Sequence, residues 1–124
     1  MATIDPKVLD VEKALSITDG DRELLSQLYE MYLEQTRNAI PEIEAAISRK
    51  DAKRLEFVAH SLKGASASIA AETVRAVAYR LENLGKSGGF EEAQAVLKEL
   101  KESINITNEF ISRQLSELRS GKGE

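Results

Sequence analysis

The only histidine in the chain, His60, sits in the run Val58-Ala59-His60-Ser61-Leu62-Lys63-Gly64-Ala65-Ser66. A neutral imidazole nitrogen is nucleophilic near neutral pH, since an unperturbed histidine has a pKa of about 6.5, and it can hold a phosphoryl group as a reactive N–P bond. Lys63, three residues on, falls on the same side of a helix, where its ammonium can offset negative charge arriving at the ring. Gly64, four residues on, presents no side chain. A glycine inside a helix costs about 1 kcal/mol relative to alanine, and keeping that spot bare for an approaching partner is a reason to retain it. Read plainly, the same residues are an incidental surface histidine and a solvated lysine; the spacing of all three favours chemistry.

The helix that must carry them is amphipathic. At about 3.6 residues per turn, Leu55, Val58, Leu62, Ala65, Ser66 and Ile69 line one side, while Lys53, Glu56, His60, Lys63, Gly64 and Ala67 line the other. His60 is therefore expected to face water. Asp51 can cap this helix, which should run to about Ile69 before a tight turn near Ala70-Ala71. Val74, Val77, Leu81 and Leu84 then repeat at helical spacing until Gly85, and Ser87-Gly88-Gly89 is the clearest loop.

Upstream, Asp5-Pro6 offers an N-cap followed by proline at the first helical position. A short helix through Val8, Leu9, Val11 and Leu15 is expected, ending before Thr18-Asp19-Gly20. A longer helix follows, with Leu24, Leu25, Leu28, Met31 and Tyr32 pointing inward. Between Thr36 and Pro41 the pattern should break or kink, because proline cannot donate to the carbonyl of Arg37. The next helix carries Ile40, Ile43, Ala46 and Ile47 and stops near Lys50. The last starts near Phe90 and bears Ala93, Leu97, Leu100, Ile104, Ile111, Leu115 and Leu118, leaving residues 119–124 to fray. No alternating strand pattern competes. The chain reads as all-α, an antiparallel four-helix bundle with an additional short N-terminal helix, because each apolar stripe must be covered by another.

Composition limits the alternatives. At 124 residues the chain suits one domain, residues 1–124 with a core over about 5–118. It has 42% hydrophobic and 31% charged residues and few aromatics, so the core should be mostly Leu, Ile, Val and Ala. A net charge of -4, with both signs scattered, argues against nucleic acid, which needs a concentrated basic surface. A metal or haem bundle enzyme would need several inward ligands, but there is one histidine, no cysteine and no Glu-x-x-His pair. Neither a phosphate-binding Gly-rich loop nor a nucleotide-binding kinase pattern is present. No apolar run approaches the roughly 20 residues that span a bilayer, and no signal peptide is recognisable. Absence of cysteine fits a reducing compartment. A cytoplasmic protein that is monomeric, without membrane insertion, is the expectation.

Hairpin arithmetic finds a partner for the histidine. If the chain reverses near Ala71, residue 60 lies level with residue 82 on the following helix. Glu82 is thus a candidate hydrogen-bond partner for the imidazole, or else an ordinary surface acid. The same count sets Lys86 opposite Glu56, an exposed pair worth about 0 to 1 kcal/mol. Ser66 is expected to bond a preceding helical carbonyl. Tyr29, Tyr32 and Tyr79 are expected to pack with wet hydroxyls and carry no chemistry.

The run from His60 to Ser66 resembles the active-site motif of histidine-containing phosphotransfer (HPt) domains. The similarity extends from about Asp10 to Ile111, through Leu24–Leu33, the Ala45-Ala46-Ile47 to Asp51 turn and Arg80-Leu81-Glu82. One departure is Ala70, where the family often has glycine at the end of the histidine helix. The resemblance implies a phosphorelay carrier without autonomous kinase activity. His60 would accept a phosphoryl group from an aspartate of one receiver domain and pass it to another. The receivers would belong to response regulators or hybrid histidine kinases. It also implies a polar side chain from the next helix that orients the ring, in agreement with Glu82. No cofactor is expected on this chain; Mg²⁺ would come with the receiver.

Docking requires apolar surface too. Phe57 lies about 60° from His60 around the helix and Ala67 two turns along the same face. With Gly64 they would offer a smooth surface to a receiver helix, edged by Glu56 and Lys86. Alternatively, Phe57 folds into a seam with the first or second helix. Two rival functions use the same residues: an interaction module that binds receivers without transfer, and a domain excised from a hybrid or chemotaxis kinase.

Overall fold

A computed structural model describes residues 5–120, excluding the side chain of Ser120. Five helices follow in order: α1 (Val11–Ile17), α2 (Arg22–Ser48), α3 (Ala52–Ser68), α4 (Glu72–Ser87) and α5 (Phe90–Ser120). Aspartates start the first three. Asp10, Asp21 and Asp51 accept hydrogen bonds from the backbone N–H groups of Lys13, Leu24 and Arg54, satisfying donors that have no partner inside a helix. Among the described residues there is no strand, and no helix is long and apolar enough to cross a membrane.

The four long helices form the bundle, each packed on two neighbours, and α1 lies against α2. Their seam is aliphatic, with Leu25, Ile43, Leu55, Leu62, Leu81, Leu100 and Ile111 fully buried. Burying each such side chain contributes about 1.5–3 kcal/mol. The most extensively packed pair is α3 and α4, joined by the three-residue turn 69–71. There Ala70 adopts a φ of +57°, the left-handed conformation that glycine takes at least cost. Its carbonyl accepts from Asp10, and the Lys7 carbonyl accepts from both the backbone and the hydroxyl of Thr73. The N-terminal segment therefore clamps the turn and serves the otherwise uncapped start of α4.

Several expected elements differ. Asp5-Pro6 opens a turn, with Val8 and Leu9 donating to the Asp5 carbonyl, and the helix starts only at Val11. Pro41 does not break α2, which is continuous for 27 residues. Pro41 and Arg37 both face solvent, where water can serve the freed carbonyl, while Thr36, Ala39 and Ile43 hold the buried face on either side. That face is Leu25, Tyr29, Tyr32, Thr36, Ala39, Ile43, so Leu24 and Met31, one position off it, point outward. Gly85 does not end α4, which continues to Ser87 and stops at Gly88 in the left-handed conformation. Arg119 remains helical and pairs with Glu30; residues 121–124 of the expected frayed tail lie outside the described residues.

The tyrosines also differ from expectation. Tyr32 hydrogen-bonds to Ser66 at 2.8 Å in the interior, so Ser66 ties α3 to α2 rather than to its own helix. Burial pushes the Tyr29 phenol up to about 12, and its hydroxyl has no protein partner.

Candidate functional site

On α3, Leu55, Val58, Ala59 and Leu62 are anchored in the core. This fixes the opposite face outward and leaves 65% of the His60 side chain exposed. On α4, Val74, Val77, Ala78 and Leu81 are buried, and Glu82 follows Leu81 on the edge of that face, against α3. The two helices approach closely because Gly85 packs on the backbone of Glu56; a Cβ at Gly85 would stand 2.7 Å from the Glu56 nitrogen.

That approach brings three predicted residues together. His60 Nδ1 is 2.8 Å from Glu82 Oε2, and Lys63 Nζ is 2.7 Å from Glu82 Oε1. Glu82 is itself buried. The Lys63 hydrogen bond, with a smaller contribution from His60, holds its carboxyl below the usual carboxylate range although burial pulls the other way. Ionised at neutral pH, the carboxylate can only accept. The Nδ1 of a neutral His60 must therefore carry the proton and donate to Glu82. Nε2 keeps its lone pair as the nucleophilic nitrogen.

The surroundings are open. Gly64 and Ala67 are exposed along α3, with nothing within 4 Å of the position a Gly64 Cβ would take. Phe57 is 62% exposed, so it does not fill a seam; the Arg54 guanidinium lies 5.6 Å from its ring centre. Lys53, Glu56, Phe57, His60 and Glu82 line a shallow depression beside the imidazole. Lys86 turns to Glu82, at 3.9 Å from Oε2, rather than to Glu56 as the hairpin count suggested. The close backbone contact of Glu56 with Gly85 shifts the pairing at that end by about one residue.

Tyr79 is a member of the site that sequence reasoning left without a role. Its ring centre is 5.0 Å from Lys63 Nζ, a cation–π contact that steadies the lysine. The signal was available, since the count that pairs 60 with 82 pairs 63 with 79. Gly85 was misread as a helix stop because a lone glycine near a loop carries both meanings. Among the described residues no group of three His, Cys, Asp or Glu side chains could hold a metal ion.

The fold and site define a helical-bundle protein that displays one exposed histidine on a buried acid, which a lysine also holds. Comparison with known proteins identifies the family: the model of the Hpt domain matches residues 27–110, more than half of the chain and including His60, and the chain belongs to that family. The phosphorelay intermediate protein rdeA of Dictyostelium discoideum is 26% identical over 106 residues, covering 86% of this chain and 42% of that protein. Multistep phosphorelay regulator 1 of Schizosaccharomyces pombe is 32% identical over 114 residues, covering 91% of this chain and 36% of that protein. The chain thus spans less than half the length of these relatives. In fold it is similar to histidine-containing phosphotransfer protein B of Pseudomonas aeruginosa, with a TM-score of 0.82 and 20% identity over 88% of this chain and 95% of that one.

Proposed function

We propose that this chain is a phosphorelay carrier: His60 accepts a phosphoryl group from a receiver-domain aspartate and passes it to the aspartate of another receiver. The observation that carries this reading is the braced imidazole, its Nδ1 on buried Glu82 and its ring exposed. In the accepting step the Nε2 lone pair forms the N–P bond while the acyl–phosphate P–O bond breaks, and the aspartate carboxylate leaves with the receiver. Lys63 offsets charge on the phosphoryl oxygens, and Glu82 holds the ring in the correct tautomer. Mg²⁺, supplied by the receiver, would neutralise the phosphoryl group in transit. This chain is then a substrate and carrier, not a kinase.

Phe57, Gly64 and Ala67 form the docking surface in this reading, with Glu56 at its edge. The test is intact-mass and peptide mapping after incubation with phosphorylated receivers and Mg²⁺, with His60→Gln in parallel. One acid-labile phosphoryl group on His60, absent from the variant, is expected. Binding without transfer across a panel of receivers would instead establish a non-transferring interaction module.

A further inference from the structure

We propose that Lys86 is a second phosphoryl-binding cation, parked with Lys63 on the Glu82 carboxylate while His60 is free and released to the phosphoryl group once His60 is loaded. The proposal rests on the carrier reading and assigns Lys86 to the phosphoryl group rather than to the partner protein.

Glu82 is the only charged side chain buried in the described core. A buried carboxylate must be compensated, and here three groups share the task. Lys63 takes Oε1 at 2.7 Å, while His60 at 2.8 Å and Lys86 at 3.9 Å share Oε2. The two lysines come from different helices and approach different oxygens of the carboxylate, Lys63 one turn beyond His60 on α3 and Lys86 one turn beyond Glu82 on α4. With a neutral ring, one carboxylate and two ammoniums leave the cluster at +1. That is one cation more than the carboxylate requires.

Phosphorylation adds about -1.5 to -2 charges beside the same carboxylate. With both lysines present the loaded cluster carries only about -0.5 to -1; without Lys86 it carries about one more negative charge, against a buried acid. The lysines are not equivalent. Lys63 is largely covered and packed on the Tyr79 ring, whereas the Lys86 side chain is 54% exposed and its contact to Oε2 is long. Lys86 is therefore free to swing towards a phosphoryl group on the ring that shares its oxygen. Lys53 and Glu56, of opposite sign, line the depression beside the imidazole and together add no net charge to it.

The test needs no receiver. Phosphoramidate can load His60 directly, the Nε2–P bond forming as its P–N bond breaks and ammonia leaves. Lysine Nζ resonances are followed by NMR in the free and loaded protein, together with the loading rate of wild type, Lys86→Gln and Glu82→Gln. Loading should shift the Lys86 signal more than that of Lys53. Lys86→Gln should load about fivefold more slowly, the effect of one unit charge about 4 Å away in water, and the difference should shrink at high salt. In Glu82→Gln the Lys86 signal should leave its parked position before loading. If His60 loads fully while the Lys86 signal stays fixed, or Lys86→Gln loads at the wild-type rate in low salt, the proposal is overturned and the carrier reading stands. If His60 takes no phosphoryl group from phosphoramidate or any receiver, both fall.

Discussion

Replacing Gly85 with alanine should loosen the site and destabilise the fold, whereas the same change at Gly64 should do the opposite to stability. At Gly85 the new Cβ would meet the Glu56 nitrogen at 2.7 Å and its Cα at 2.9 Å, both backbone atoms that cannot rotate away. Restoring ordinary contact requires α3 and α4 to part locally by about 0.7 Å. Overpacking of this kind costs about 1–3 kcal/mol, offset by about 1 kcal/mol of better helix propensity. A net loss of up to about 2 kcal/mol follows, lowering Tm by about 4 °C for each kcal/mol. Moving α4 outward also stretches the 2.8 Å bond between His60 and Glu82 towards the limit of hydrogen bonding. At Gly64 no atom lies within 4 Å, so alanine should add about 1 kcal/mol while obstructing a docking partner. Urea unfolding gives the stabilities, and ¹⁵N NMR of the imidazole reports whether Nδ1 still holds its proton. A Gly85→Ala protein as stable as wild type with unchanged ring signals would refute the argument, as would a destabilised Gly64→Ala.

Three further outcomes are expected. Glu82 has a depressed folded pKa, so its ionised form contributes stability above the unfolded value of about 4.3 and loses it as pH falls through the folded value. The stability gap between wild type and Glu82→Gln should thus narrow on acidification from pH 6 to 3, and a gap independent of pH would remove the ion-pair account. Ser66→Ala should cost about 1–3 kcal/mol by stranding the buried Tyr32 hydroxyl, while Tyr29→Phe, which deletes a hydroxyl already without a protein partner, should be neutral or stabilising in the same denaturation assay. Lys63→Ala should slow phosphoryl transfer in quench-flow measurements with less effect on stability than a core truncation such as Leu62→Ala, expected at about 2–5 kcal/mol. Equal transfer rates would deny Lys63 its electrostatic role.

The sequence alone determined the helical class, the outward face of α3 and the level placement of residues 60 and 82, because all three follow from fixed periodicities. A 3.6-residue period fixes which side of α3 is apolar, and an antiparallel hairpin with a known turn fixes which residues stand level. Tertiary packing decided what periodicity leaves open. Pro41 stays within α2 because the Arg37 carbonyl it leaves without a donor lies on the solvent-facing side while the buried face on either side remains packed. Ser66 joins Tyr32, 34 positions away in sequence, a contact that no local rule anticipates. Gly85 fixes how near α4 comes to α3, and that spacing turns Glu82 from a surface acid into the buried carboxylate shared by His60, Lys63 and Lys86. Local chemistry supplies the reactive groups, but their burial and separation depend on how two helices meet, a property of the assembled bundle.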